Sequence, residues 1–565
     1  MAAESNVSVD QTLRARAGET VTAVVRFREP LLTAEQSPSA VIETLRKKAA
    51  RTQQAIVDFA TGRAGIQLRQ QFWLTNAVSA DIDTAQVPLD EIAAVPGVTR
   101  IHENFELEAI GVSTGSGPGE DSDGAGETPL DHGQHTYGLD QINAPAVWDQ
   151  YGTQGEGAKV AVLDTGIDPD HPDLELYTDD ATDPTYPGGW AEWDANGNRV
   201  EGTEPYDSGT HGTHVSGTVA GTDGSGEHIG VAPGCDLMHG LVLPGGSGSL
   251  TGIINGMQWA VDQGADVINM SLGAEGYFSS FIDPLRNTQA AGTLPVSACG
   301  NNSEGTSGSP GNVYGAGMAI GASDSNEDIW DSSSGEKIET DADWGSDAPS
   351  DWPAEYIVPD VAGPGSSVYS TLPDDGYGYK FGTSMASPHV AGTAGLLVAV
   401  SDGSATPQEM WDALAATAWK PDDWDESSAA AALDGKDSRY GEGIVDAISA
   451  AETLATPTVS ASGGTTMDGQ VQITASGSNV DSVTVSALWT DWSVESTQND
   501  GGSFTESVSA EGSCTFSWPS VQSSVSPSLT VSLPTARYVG GTYLLTVTAS
   551  DSETTVETTA TVTVG

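Results

Sequence analysis

The sequence predicts a central α/β domain, with a parallel sheet flanked by helices, between an α+β domain and an all-β domain. Three changes of pattern along the 565 residues support this organisation. Residues 20–108 alternate strand-like and helix-like runs, residues 135–455 carry short apolar runs separated by helical stretches, and residues 457–565 alternate Ser, Thr and Val. Because a chain of this length exceeds one compact core, two to four domains are expected.

The first region, residues 1–108, predicts elements in the order β-α-β-β-α-β. Residues 21–27 and 98–107 read as strands, and residues 38–63 as an amphipathic helix. This order is typical of a ferredoxin-like sandwich. The region carries 11 of the 20 basic residues against 14 acids. It can therefore dock on a strongly acidic partner, although the same charges also fit a solvated basic helix face.

Residues 109–134 are rich in Gly, Ser and acids and predict a flexible linker, which is a favoured site of cleavage. In residues 135–455, buried-type strands alternate with helices, as in a parallel sheet covered on both faces. Within it, the acidic, Trp-containing residues 332–353 predict an inserted surface loop. Residues 457–565 have Arg537 as their one basic residue and predict an all-β sandwich.

The charge of the chain excludes one class of partner. A formal net charge of −59 repels nucleic acid. An acidic solvated surface is one explanation, and adaptation to molar salt is another. We favour salt adaptation because Lys is scarce and because the Debye length falls to about 3 Å at 1 M, where such repulsion is tolerable. No apolar run approaches 18 residues, so we expect no membrane span.

Three short segments that contain glycine hold the candidate catalytic residues. Asp164 lies in Val-Leu-Asp-Thr-Gly, His211 in His-Gly-Thr-His and Ser384 in Gly-Thr-Ser-Met-Ala. A serine hydroxyl needs a base to take its proton, and histidine suits that role near neutrality. A buried carboxylate then orients the imidazole. The order Asp, His, Ser is one of the known orders of this constellation.

These motifs resemble the subtilisin-like serine protease (subtilase) family, and the acidic composition and C-terminal extension resemble its halolysin-like secreted members. The resemblance implies a subtilisin-like sheet flanked by helices, preceded by an inhibitor propeptide in residues 1–108. It implies Ser384 as nucleophile, His211 as general base and acid, and Asp164 as the orienting carboxylate. Asn301 would donate to the oxyanion, with the adjacent Asn302 as its rival.

The resemblance also implies substrate-binding positions on two strands and in one pocket. The absence of a side chain at Gly308 implies a roomy pocket that prefers a large apolar residue before the scissile bond. The remaining positions, whose backbone would pair with an extended peptide, are Gly246, Ser247, Gly248, Ser271, Leu272 and Gly273.

Calcium is the one cofactor that the resemblance suggests, through Asp173, and no organic cofactor is expected. A second loop, residues 222–226, would complete the calcium site, but it departs from the family pattern at Gly224. Asp223 and Gln134 could supply oxygens instead. Calcium takes six to eight oxygens, which is more than we can assign. His-Gly-Thr-His could bind a metal, but with neither H-E-x-x-H nor paired C-x-x-C present, a zinc peptidase is disfavoured.

We therefore expect a self-processing serine endopeptidase that acts on proteins and peptides, with its own propeptide as intramolecular inhibitor and folding aid. A monomer in the extracellular space is expected. Residues 1–6 lack the pattern of a signal peptide, which keeps a cytoplasmic peptidase open as an alternative. A binding protein built on a degenerate α/β scaffold is the alternative from another class.

Overall fold

The computed structural model describes residues 7–30, 32, 36–110, 134–422 and 424–455, and the backbone of eight strands beyond them. The chain forms two compact units. The first comprises Met1–Ala399 and Gly403–Ile448, and the second comprises Val400–Asp402 and Ser449–Gly565. The division at Ile448 lies within the helix Ala447–Leu454, a few residues before the expected boundary at 455–457. Most of the predicted linker 109–134 is outside the described residues.

The first region of the chain forms a five-stranded sheet in the order β1-β5-β2-β4-β3. From β2 to β5 the elements follow the β-α-β-β-α-β order. Ile56 and Ile92 of the helices are buried in the same apolar cluster as Val25 and Ile101 of the strands. The elements are β1 (Ser8–Val9), α1 (Gln11–Ala15), β2 (Thr20–Phe27), α2 (Pro38–Ala60), β3 (Ile66–Phe72), β4 (Ala77–Asp83), α3 (Leu89–Ala93), β5 (Val98–Glu103) and β6 (Glu106–Ala109).

The α/β region is built on an eight-stranded sheet in the order β19-β16-β14-β12-β7-β10-β8-β9. All neighbouring pairs are parallel except β8 and β9. Its central strands are buried on both faces, which matches their continuous apolar runs. The elements up to β16 are α4 (Tyr137–Gln141), α5 (Ala144–Tyr151), β7 (Lys159–Asp164), β8 (Trp190–Trp193), β9 (Arg199–Val200), α6 (His211–Ala220), β10 (Asp236–Leu241), β11 (Ser247–Ser249), α7 (Leu250–Asp262), β12 (Val267–Met270), β13 (Leu272–Glu275), α8 (Ile282–Ala290), β14 (Leu294–Ala298), β15 (Gly308–Ser309) and β16 (Met318–Ser323).

The rest of this region adds small hairpins and four further helices. Its elements are β17 (Glu336–Glu339), α9 (Thr340–Asp343), β18 (Glu355–Val358), β19 (Val361–Pro364), β20 (Val368–Leu372), β21 (Gly376–Lys380), α10 (Thr383–Val400), α11 (Pro407–Thr417), β22 (Ala432–Leu433), β23 (Lys436–Asp437) and α12 (Ala447–Leu454).

The prediction of a surface loop at residues 332–353 is wrong. The segment contributes β17, which pairs with β18, and it buries Trp344 and Trp352 to 5% and 8% exposure. The Trp344 indole donates a hydrogen bond to the hydroxyl of Tyr356 at 2.8 Å. Two tryptophans carry a large apolar area, and this area outweighs the acidic residues around them in deciding where the segment lies.

Beyond residue 457, the strands form two antiparallel sheets. One has the order β24-β25-β29, and the other has the order β27-β26-β30-β31 with β28 also on β26. The packing of these sheets as a sandwich stays a prediction. The strands are β24 (Thr458–Ala461), β25 (Gln470–Ser476), β26 (Ser482–Trp492), β27 (Ser503–Thr505), β28 (Cys514–Ser517), β29 (Ser528–Ser532), β30 (Gly541–Ser550) and β31 (Thr555–Val564).

Candidate active site

The predicted catalytic residues gather at the carboxyl edge of the parallel sheet. Asp164 is the last residue of β7, and Ser271 directly follows β12. Asn301 follows β14, after Cys299 and Gly300. Because parallel strands end at the same edge, their loops meet there, which is where sites of α/β proteins lie.

Asp164 and His211 form a buried hydrogen-bonded pair. The Nδ1 of His211 lies 2.8 Å from Oδ1 of Asp164, and the backbone N–H of Thr165 donates to the same oxygen at 2.7 Å. Asp164 is fully buried and His211 is 4% exposed. Nε2 of His211 is buried without a hydrogen-bond partner among the described residues. The pair thus leaves one imidazole nitrogen available for a proton.

Ser384 lies in the first turn of α10, and its hydroxyl points to the end of the first region of the chain. Oγ of Ser384 donates to the carbonyl oxygen of Ile110 and lies 3.2 Å from the carbonyl oxygen of Ser271. No Ser384–His211 hydrogen bond forms in the described structure. The structure therefore joins Asp164 to His211, while the serine hydroxyl is engaged by a peptide carbonyl.

The structure separates Asn301 from its rival Asn302. Oδ1 of Asn301 accepts hydrogen bonds from N and Oγ1 of Thr383, both at 2.9 Å, while its Nδ2 is buried and unpaired among the described atoms. A Cβ at Gly382 would lie 2.7 Å from that Nδ2, so glycine is needed there. Asn302 is exposed and donates to Glu275 at 3.1 Å. Asn301 thus holds the free donor beside Ser384.

The predicted substrate strands are already paired, and their partner is β6. Residues Ser247 and Gly248 of β11 oppose Glu108 and Leu107, antiparallel. On the other side, Leu272 opposes Ala109 and Gly273 opposes Glu108 in β13. β6 is therefore the middle strand between β11 and β13, in the position expected for an extended peptide.

Four positions complete this strand system. Gly246 lies in the turn directly before β11, outside the paired register. The carbonyl of Ser271 accepts a hydrogen bond from the N–H of Ile110 at 3.2 Å. Gly308 lies in β15 opposite Glu275 of β13. A Cβ at Gly273 would lie 2.8 Å from Cδ1 of Ile110, so Gly273 leaves the space that this side chain uses.

The tail of the first region, residues 106–110, was missed by sequence reasoning, which ended the last strand at 107. Leu107 and Ala109 are buried, whereas Glu106 and Glu108 are exposed. This alternation of polar and apolar residues is the period of a strand with one buried face. The same pattern is visible in the sequence and could have extended the prediction to Ile110.

The other histidines of the motif regions have structural partners. His214 donates from Nε2 to the carbonyl of Val368 at 3.0 Å, and burial lowers its pKa well below the ordinary value. Nδ1 of His389 lies 2.8 Å from the carbonyl of Met385, and burial lowers the pKa of His389 to about 4. Within the described residues, no group of three or more His, Cys, Asp or Glu side chains could hold a metal ion.

Three hydrogen bonds engage the carboxylate of Asp173, for which the resemblance suggested a calcium role. Its Oδ1 accepts hydrogen bonds from Oγ1 of Thr222 at 2.6 Å and from the N–H of Gly224 at 2.7 Å. Its Oδ2 accepts from the hydroxyl of Tyr377 at 2.7 Å. Calcium takes six to eight oxygens, and within the described residues no group of three or more His, Cys, Asp or Glu side chains that could hold a metal ion includes Asp173. The calcium role of Asp173 therefore stays a prediction. Although burial raises the pKa of Asp173, the three hydrogen bonds lower it overall.

Comparison with known proteins agrees with this geometry. Residues 155–443 match the model of the subtilase family, described as "Subtilase family". This chain belongs to the subtilase family. It is 34% identical over 342 residues to subtilisin E of Bacillus subtilis, covering 59% of this chain and 73% of that protein. The subtilase is therefore a serine endopeptidase with the α/β fold of that family.

Two further relatives cover shorter stretches. Subtilisin of Bacillus pumilus is 38% identical over 270 residues, covering 46% of this chain and 84% of its own. The major intracellular serine protease of Bacillus subtilis is 34% identical over 284 residues, covering 49% and 79%. No helix in the described part of the subtilase is long and apolar enough to cross a membrane.

Proposed function

We propose that this subtilase cuts its own chain after Ile110 and then hydrolyses extended segments of other proteins with the same residues. The observation that carries the proposal is the contact between Oγ of Ser384 and the carbonyl oxygen of Ile110. The proposed prosegment extends to Ile110, and its tail, residues 106–110, lies between β11 and β13 and ends at the nucleophile, as a substrate strand would.

The reaction uses three side chains in sequence. His211 takes the proton of the Ser384 hydroxyl through Nε2, and Oγ attacks the carbonyl carbon of residue 110. Asp164 holds the imidazole through Nδ1 and stabilises its cation. The same imidazole then gives the proton to the leaving amine as the peptide bond breaks. Water, activated by His211, hydrolyses the acyl-enzyme and frees the new carboxylate and the serine.

The oxyanion of the tetrahedral intermediate needs donors that are present before the reaction. Nδ2 of Asn301 is buried and unpaired among the described atoms, and its Oδ1 is held by Thr383. The amide is thus fixed with its donor side free. We propose that this N–H, together with the backbone N–H of Ser384 at the start of α10, stabilises the negative charge.

The tail also suggests which substrates are preferred. Ile110 occupies the position before the scissile bond, next to Gly273, while Ala109 and Leu107 are buried one and three residues before it. Glu108 and Glu106 are exposed. We therefore propose that the enzyme prefers apolar residues at the first and fourth positions before the cut and a small residue at the second. The third position, which is exposed, should show little selectivity. Gly308, which lies opposite Glu275, is proposed to line the pocket for the residue before the scissile bond.

Processing leaves the prosegment non-covalently docked, so we propose that it inhibits the enzyme until it is released. The acidic composition supports a protein that works at molar salt and as a monomer. The extracellular location also stays a proposal, supported by the folded prosegment.

The test compares the full chain, refolded in molar salt, with Ser384→Ala by mass spectrometry at early times. We expect the parent to yield a prosegment fragment that ends at Ile110, and Ser384→Ala to stay intact. Cleavage of the parent at another bond would overturn the assigned site alone. An intact parent that also fails to hydrolyse peptides would overturn the proposed triad.

A further inference from the structure

A second carboxylate, Asp207, lies outside the triad and binds both segments that carry Asp164 and His211. Its Oδ1 accepts a hydrogen bond from Oγ1 of Thr165, the residue after Asp164, at 2.7 Å. Its Oδ2 accepts from N and Oγ1 of Thr213, two residues after His211, at 2.9 and 2.7 Å. One side chain thus bridges the end of β7 and the start of α6.

The bridge continues to the triad through short links. Oγ1 of Thr165 accepts a hydrogen bond from the N–H of Gly212 at 2.8 Å, and the N–H of Thr165 donates to Oδ1 of Asp164 at 2.7 Å. That oxygen is the one that also binds His211. A shift of Thr165 therefore moves the Asp164 carboxylate relative to the imidazole.

The surroundings of Asp207 suit a carboxylate and no other side chain. Including the N–H of Gly209 at 2.9 Å, all four groups that contact its oxygens are donors. A carboxylate accepts four hydrogen bonds, whereas an amide would turn a donor toward a donor. Burial raises the pKa of Asp207, while its hydrogen bonds lower it in part. Thr210, the residue before α6, makes no side-chain cap, so Asp207 satisfies an N–H of the first turn in its place.

We propose that Asp207 is a positioning residue for catalysis, which fixes the Asp164–His211 pair through Thr165 and Thr213. The inference rests on the proposed function, because it assumes that this pair serves Ser384. Asp207 does not touch the substrate. A misplacement of about 1 Å at reacting groups lowers rates by about 100-fold, so loss of this anchor should lower kcat with little change in KM.

The test uses Asp207→Asn and the pair Thr165→Val and Thr165→Ser. Valine keeps the shape of threonine without its hydroxyl, and serine keeps the hydroxyl. Thr222→Val is the matched control, since it removes an equivalent Thr–carboxylate bond at Asp173, away from the triad. Peptide hydrolysis is measured per active site, counted by titration with a serine-directed reagent, and thermal unfolding is measured in parallel.

We expect Asp207→Asn and Thr165→Val to lower kcat about 10- to 100-fold with KM within about twofold, and Thr165→Ser to restore most of it. Thr222→Val should change stability but not kcat. Equal kcat in all variants would overturn the inference and reduce Asp207 to a structural role. If the parent itself were inactive, the proposed function would fail, and a separate readout would still test Asp207. The separate readout is the low-field proton resonance of His211 Nδ1–H, measured in the Ser384→Ala background. Adding Asp207→Asn should shift this resonance, and adding Thr222→Val should not.

Discussion

The region that we propose as the prosegment contacts the α/β region in two different ways, through its tail and through its body. The tail, residues 106–110, docks by backbone pairing with β11 and β13 and by burying alternate apolar side chains. The body docks through apolar side chains, with Phe72 and Leu74 in the same buried cluster as Met257 and Phe281. It also makes charged pairs, Arg26 with Asp283, Arg46 with Asp262 and Arg100 with Asp347. Backbone pairing tolerates many sequences, whereas charge pairs respond to salt, pH and substitution. The tail therefore suits cleavage, and the body suits regulated release.

The largest effect should come from the tail. Ile110→Asp places a carboxylate in the half-buried space beside Gly273, where an unpaired charge costs several kcal/mol. We expect self-processing to slow by at least about 1,000-fold, since about 1.4 kcal/mol corresponds to tenfold in rate. Glu108→Ala, on the exposed side of the same strand, should process at the parent rate. The rate at which the prosegment fragment appears measures processing in both variants. Equal rates would show that the enzyme does not select the side chain at position 110.

The next largest effect distinguishes buried from exposed charge pairs in the body. The Arg26 side chain is 8% exposed and also donates to the carbonyl of Ser279, whereas Arg46 is 52% exposed. Breaking a buried pair costs about 3–5 kcal/mol, while an exposed pair contributes about 0.2–1 kcal/mol. Arg26→Met should therefore weaken inhibition by the released prosegment over about 100-fold, and Arg46→Met by less than about tenfold. Similar inhibition constants for the two variants would contradict this ranking.

The smallest effect is a pH dependence of prosegment release. Burial raises the pKa of Glu29 to about 8, and Asp283 adds to this, while Arg26 and Lys48 oppose it. Because Asp283 belongs to the α/β region, release lowers the pKa of Glu29 toward its ordinary value of about 4.3. Docking is then fully favoured below that value and weakens as pH rises through about 8.

Size-exclusion chromatography of the processed complex should therefore show more free prosegment at about pH 9 than at about pH 6. Glu29→Gln, which cannot ionise, should flatten the profile. Burial lowers the pKa of His102, at the same interface, to about 3, so this histidine stays neutral throughout the range. A profile that persists in Glu29→Gln would assign the effect to another group.

The contrast between the two contacts also shows what the sequence could reveal. The positions of Asp164, His211 and Ser384 were predictable because each lies in a glycine-containing motif at the end of a strand or the start of a helix. Their catalytic roles stay a proposal. The hydrogen bonds of Asp173 were not predictable, because Tyr377, which donates to its Oδ2, is 204 residues away in the chain. Long-range partners of this kind leave no local pattern.

Asp207 was missed for a different reason. It lies four residues before His211 in Asp-Ser-Gly-Thr-His, where an acidic residue near a helix start is a common signal without a specific meaning. Its two Thr partners lie on both sides of it in the chain, and only the fold brings them to one carboxylate.

The three-stranded arrangement of β11, β6 and β13 sets a condition on any protein that this enzyme cuts. A segment of about five residues must leave its own helix or sheet and adopt an extended form before Ser384 can reach it. Cutting is therefore governed by how often a segment of the target opens, as much as by its side chains. On the proposed function, a well-packed neighbour, including another folded copy of this enzyme, would be protected by its own stability, whereas unfolded chains would be cut.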